Sequence, residues 1–276
     1  MVRLPPLSLA PRFVRACAPF LLALLIPATV AAQASTALPV LRIGVEGAYP
    51  PFSELGTDGK LKGFDIDVAN EVCKRLKRRC ELVQAEFDAM IPALRARKFD
   101  AIVASMSITP ERLKAVDFSD KYYFTPARVV LRKGSTLVVL ADGLKGQRIG
   151  VQRATIHDRF ATATFKGAEI VRYGKQDEVY LDLVSGRLAA SLQDSVAADL
   201  GFLRTPAGKD FEFRGPEYND PAFFGVGAGI AMRKGDTALR DQINAALKAI
   251  RADGTYKKFN DRYFAYDIYG PETAPR

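Results

Sequence analysis

Histidine and cysteine are scarce in this 276-residue chain, which has one His and three Cys. A zinc centre draws on those side chains, so it has almost no ligands available, and no metal or other cofactor is expected. Past the N-terminal segment there is no apolar run long enough to cross a bilayer. There is also no internal repeat and no low-complexity tract, and 48% apolar with 26% charged residues is the balance of an ordinary globular protein. The formal net charge of +9 raises nucleic acid as a partner. Lys and Arg are dispersed among acids, however, and the densest basic cluster, "CKRLKRRC", is bracketed by cysteines, which points away from it.

What the chain does have begins with an address. Arg3, Arg12 and Arg15 precede the apolar run "APFLLALLIPATV", and "VAAQAS" offers small residues for cleavage after Ala32 or Ala34. That order reads as a secretory signal peptide over residues 1–34, giving an exported, soluble mature chain. Cys17 leaves with it. The two remaining cysteines, Cys73 and Cys80, are an even pair in an oxidising compartment and are expected to form a disulfide. Closing so short a loop is worth about 2–3 kcal/mol by chain entropy.

Short apolar strands alternate with helical patterns. "LRIGVE" reads as a strand, and "GFDIDVANEVCKRL" carries Phe64, Val68, Val72 and Leu76 on one helical stripe. "CELVQA" and "FDAIVAS" are strands on either side of a helix, and the pattern restarts at "GQRIGVQ" and runs to the strand "LAASLQD". The amphipathic helix "TALRDQINAALKAIRADG" stops at Gly254. Two β-α-β-α-β blocks imply two α/β lobes, each with a mostly parallel sheet flanked by helices. Ligands of such sheets bind beyond the carboxyl ends of the strands, where "SMSITPER", "QRATIHD" and "QDS" fall.

The chemistry of those tips is that of an ion-paired small molecule. Thr109 suits an N-cap and Pro110 a first helical position, so an α-helix is expected to start there. Ser107 lies just upstream and Arg112 in the first turn. A hydroxyl, free N–H groups and a forked guanidinium together suit a carboxylate, although an Arg paired with a surface acid is an equal reading. Glu46 and Tyr49 lie at the first strand's tip. Asp194 precedes a helix, where Asp is most often only a cap. Phe87 reads first as core, and His157 as a surface or capping side chain. One anion clamp facing two carboxylates matches a zwitterion with a second positive group.

The chain resembles the periplasmic solute-binding proteins of ABC amino-acid importers, in their lysine/arginine/ornithine- and histidine-binding branch. The resemblance rests on "LRIGVEGAYPPF", "GFDIDVANEVCKRL", "DAMIPALRARKFDAIVASMSITPERLKAVDFSDKYY" and "IRADGTYKKFNDRYFAYDIYG". It implies a type II periplasmic-binding fold with a two-strand hinge. Lobe 1 would comprise residues 39–124 and 227–270 and lobe 2 residues 128–223, crossing near "FTPAR" and "FFGVG". It also implies that Arg112 and Ser107, with Thr155, take the ligand α-carboxylate. Asp194 and Ser105 would take the α-ammonium, Tyr49 and Phe87 would flank the side chain, and Glu46 would receive the distal cation. Ala104 stands where relatives often show Ser. Ile156 and His157 replace the usual Thr and Gln, so His157 is expected to contact the ligand or add pH dependence near 6.5.

The expected partners are an amino-acid ligand and the membrane permease that recognises the ligand-closed form, with the protein itself a monomer. An opine such as octopine or nopaline is an alternative ligand. A rival from another class is an exported dehydratase acting on arogenate or prephenate, with Glu46 or His157 as acid or base.

Overall fold

The structure, a computed structural model, describes residues 38–270. The signal peptide expected over residues 1–34 lies outside the described residues. Among these, no helix is long and apolar enough to cross a membrane.

The chain begins with strand β1 (Val40–Val45), a small ribbon of β2 (Ala48–Tyr49), β3 (Ser53–Leu55) and β4 (Leu61–Lys62), and helix α1 (Phe64–Arg75). Strand β5 (Arg79–Gln84), helix α2 (Met90–Arg95), and strands β6 (Ala101–Ile102) and β7 (Val116–Tyr123) follow. The chain then passes into a second sheet. That part comprises β8 (Ala127–Arg132), β9 (Arg148–Gln152), α3 (Ile156–Thr164), β10 (Glu169–Tyr173), α4 (Gln176–Val184), β11 (Ala190–Asp194), the short α5 (Ser195–Ala198) and β12 (Phe211–Tyr218). A turn of helix, α6 (Pro221–Phe224), leads back to β13 (Ala228–Arg233) in the first sheet, and α7 (Thr237–Ala252) and α8 (Thr255–Tyr263) close the fold.

The strand order is β5-β1-β6-β13-β7 in the first sheet and β10-β9-β11-β8-β12 in the second. In each, the first three strands are mutually parallel, and the fourth is antiparallel to both of its neighbours. The fifth strand therefore runs with the first three, and each sheet has a single reversed strand. That strand, β13 or β8, is the one that enters from the other sheet. The mostly parallel sheets expected from the alternating pattern are thus present.

The stripe on α1 is buried as its spacing requires: Phe64, Val68 and Val72 are fully inside, and Leu76 packs against them. Each such side chain contributes about 1.5–3 kcal/mol by leaving water. Cys73, on the same helix, is bonded to Cys80 on β5 and ties the helix end to the sheet edge.

One element differs from expectation. From Thr109 the chain makes a turn and a single 3₁₀ turn, Arg112–Lys114, rather than an α-helix. Too few residues separate Thr109 from the start of β7 at Val116 for a second α-turn. Thr109 still caps, its hydroxyl accepting from Arg112 N at 3.3 Å. The segment upstream is pinned by the second crossing: Ile108 N donates to Gly227 O, and Val226 N to Ile108 O. Gly225 is required there, because a Cβ would lie 2.0 Å from Ile108 O.

Candidate functional site

The carboxyl ends of the parallel strands of the two sheets meet tip to tip. Between them lies a cleft, placed where small molecules bind in folds of this kind. All nine residues singled out in the sequence line it: Glu46, Tyr49, Phe87, Ser105, Ser107, Arg112, Thr155, His157 and Asp194.

Arg112 supplies the positive pole. Its Nη1 donates to Ser107 O at 2.9 Å and its Nη2 to Ala154 O at 3.2 Å, reaching from the first sheet's side to the second's. The guanidinium lies 5.3 Å from the centre of the Phe87 ring. Among the described residues no carboxylate pairs with it, so the reading as an Arg matched to a surface acid does not hold. Burial, with the nearby charge of Arg159, lowers its pKa to about 10. A partly buried guanidinium with no carboxylate paired to it among the described residues is chemically suited to an anion. Thr155 caps α3, accepting from Asp158 N at 3.2 Å while donating to Gln152 O at 2.7 Å.

The negative pole is made of buried carboxylates. Asp194 ends β11 and caps α5, Oδ1 accepting from Val196 N and Ala197 N at 2.8 and 2.9 Å, while Oδ2 accepts from Thr125 Oγ1. It is a cap and a cleft wall at once. Burial raises its pKa to about 6 in spite of those bonds. Glu46, 5% exposed, is pushed by burial to about 7, with Gln152 opposing. Its Oε1 accepts from Gln152 Nε2 at 2.5 Å.

Ser105 sits between the poles in a left-handed conformation, φ +54°, which is uncommon for a residue with a side chain. Three bonds hold it there. Its Oγ donates to Asp65 Oδ2 at 2.9 Å, its N to Tyr122 OH at 3.1 Å, and Tyr122 OH to Asp65 Oδ1 at 2.9 Å. Asp65 is wholly buried and is raised to about 7 by that burial.

His157 departs from its sequence reading. It is 9% exposed rather than a surface residue, with its ring 6.1 Å from that of Phe224. Burial first, and the Arg112 charge second, lower its pKa to about 3. The imidazole is therefore neutral throughout the physiological range, and the pH dependence expected near 6.5 has no source in it.

Several lining residues were not singled out in the sequence: Gln152, Thr125, Tyr123, Phe124 and Phe224. Gln152 ends β9 just as Asp194 ends β11, so the strand-tip rule alone marks it. Phe124 and Thr125 belong to one crossing and Phe224 ends α6 just before the other, and only tertiary structure brings them to the cleft. Among the described residues no cluster of His, Cys, Asp or Glu has the arrangement of a metal site.

Three comparisons bear on this geometry. Residues 41–266 match the family described as bacterial extracellular solute-binding proteins, family 3. The L-arginine-binding protein of Pseudomonas aeruginosa is 51% identical over 83% of this chain and 90% of its own. The lysine/arginine/ornithine-binding periplasmic protein of Escherichia coli K12 is 45% identical over 90% of this chain and 97% of its own. A Salmonella typhimurium periplasmic binding protein, solved to explain high arginine specificity, superposes with a TM-score of 0.77. It is 35% identical, over 82% of this chain and all of that one. The chain belongs to family 3 of the bacterial extracellular solute-binding proteins.

Proposed function

We propose that this protein is the periplasmic binding component of an ABC importer for cationic L-amino acids, with arginine, lysine and ornithine as principal ligands and histidine as a further one. One observation carries the reading. A single cleft holds a partly buried guanidinium without a carboxylate partner among the described residues, Arg112, together with two buried carboxylates without a paired cation, Asp194 and Glu46. A cationic amino acid supplies the three missing charges in one molecule: a carboxylate to Arg112, an α-ammonium to Asp194, and a distal cation to Glu46. Ser107 and Thr155 line the carboxylate end, Ser105 the ammonium end, and Tyr49 and Phe87 the aliphatic stem. The names and organisms of the relatives are in keeping with this ligand class and with export to the periplasm.

Binding closes the two lobes about the crossings at 124–126 and 225–227, and the permease reads the closed form. The protein is not an enzyme in this reading. Burial and the Arg112 charge make His157 a weak base, with a pKa of about 3, and in this reading Glu46 is assigned to the distal cation, so neither is placed as a general acid or base. Titration calorimetry against arginine, lysine, ornithine, histidine, glutamine and octopine tests the proposal. Binding of the cationic amino acids but not glutamine supports it, and tight glutamine or octopine binding with no response to arginine overturns it.

A further inference from the structure

The sequence analysis did not single out Gln152, yet the cleft uses it in a specific way. Gln152 is 3% exposed at the end of β9, and both hydrogens of its amide are engaged. One goes to Glu46 Oε1 at 2.5 Å, across the cleft, and the other to Gly174 O at 3.1 Å within its own lobe. The partners fix the orientation of the amide, because turning it over would set its oxygen against a carboxylate and a carbonyl. Gln152 Oε1 is therefore left as an acceptor, and among the described residues no donor reaches it. Glu46 Oε2 is in the same condition. Glu46 is itself anchored, its backbone O accepting from Gln84 Nε2 at 3.0 Å. The result is two acceptor oxygens without a donor, on residues from opposite lobes that are joined by one hydrogen bond and line one pocket.

We infer that Gln152 is a specificity-determining residue which, with Glu46, makes the distal end of the cleft select a guanidinium over an ammonium group. The inference rests on the proposed binding of cationic amino acids and names which of them the site prefers. A guanidinium presents its N–H groups in one plane at fixed spacing, so it reaches two separate acceptors at once without rotating. A lysine or ornithine ammonium radiates three N–H groups from one nitrogen and satisfies its charge at Glu46 alone. Glu46 supplies the charge that any cation needs, and Gln152 supplies a neutral acceptor whose direction is set in advance. The second oxygen is thus worth more to arginine than to lysine.

The test is calorimetric titration of L-arginine and L-lysine into the wild-type protein and into Gln152→Leu and Gln152→Asn. The wild type is expected to bind arginine more tightly. Gln152→Leu should lower arginine affinity by roughly 10–100-fold, the loss of a hydrogen bond to a charged group, and lysine affinity by less than about 3-fold. Gln152→Asn keeps the chemistry while withdrawing the oxygen, and should reduce the arginine-to-lysine ratio to a lesser degree. Reading the ratio within each variant cancels any general loss of stability, and the Asn variant serves if the Leu variant does not fold. An unchanged ratio in both variants, or a wild type that binds lysine as tightly as arginine, overturns the inference. A wild type that binds neither refutes the cationic reading itself, which is a different result.

Discussion

Arg153, on the second sheet's side of the cleft, donates through Nε to the Asp88 carboxylate on the first, and its Nη2 reaches Glu86 at 3.0 Å. At another point on the rim Arg159 pairs with Glu111 at 3.0 Å. None of these side chains lines the pocket, yet each pair spans it, so the pairs exist only when the lobes are together. They bear on the open-closed balance and not on which ligand is held. The groups are partly exposed, so screening by solvent leaves each pair weak.

Arg153→Ala is accordingly expected to weaken every ligand alike, by about 2–5-fold at low salt. The difference from wild type should shrink as ionic strength rises toward a Debye length shorter than the cleft mouth. Calorimetry at two salt concentrations with two ligands checks this. A loss confined to one ligand would place Arg153 at the ligand instead.

Arg112 gives a larger effect. Replacing it by Ala removes the one guanidinium that, among the described residues, lines the cleft, and leaves the ligand's carboxylate without its partner. The cost is about 2–5 kcal/mol or more for any amino acid, cationic or neutral. Arg112→Lys keeps the charge and loses the fork, so it should recover part of the affinity. Unchanged arginine binding by Arg112→Ala would reject the clamp.

The sequence made the architecture legible because periodicity and strand tips are local properties. The stripe on α1 and the polar residues closing "FDAIVAS" and "LAASLQD" can be read without knowing what they touch. Tertiary facts could not be read this way. His157 looks like a helix-start residue until α6 brings Phe224 against it. Gln152 is a neutral amide and carries no charge signal, so its role depends on β9 and β1 meeting end to end. Asp65 was not singled out in the sequence, because its bond to Tyr122 joins residues far apart in the chain. The missing helix after Thr109 has a different cause, since its cap signals are present but β7 begins too soon.

Glu46→Gln separates charge from shape. If Glu46 meets the distal cation, removing its charge should weaken arginine and lysine by about 2–5 kcal/mol. A neutral amino acid, which never used the charge, should lose far less. Titrating arginine and glutamine into the variant distinguishes the two, and equal losses would remove Glu46 from that role.

The pH dependence follows from three carboxyls raised by burial, Glu46 and Asp65 to about 7 and Asp194 to about 6. A raised carboxyl binds its proton more tightly in the folded, closed cleft than in the unfolded chain. Its contribution to stability is therefore complete below the ordinary carboxylate range, near pH 4, and is lost as pH rises through 6 to 7. The ligand-free protein should melt at a higher temperature at pH 5.5 than at pH 8. A cationic ligand favours the ionised carboxylates, so its binding near pH 6 should expel protons, and arginine affinity should fall as pH drops from 8 to 5. Calorimetry at pH 6 in buffers of different ionisation enthalpy measures the protons directly. His157, neutral above about pH 3, takes no part, so His157→Asn should keep the profile. A binding enthalpy independent of buffer would mean that Glu46 and Asp194 are already ionised in the empty cleft.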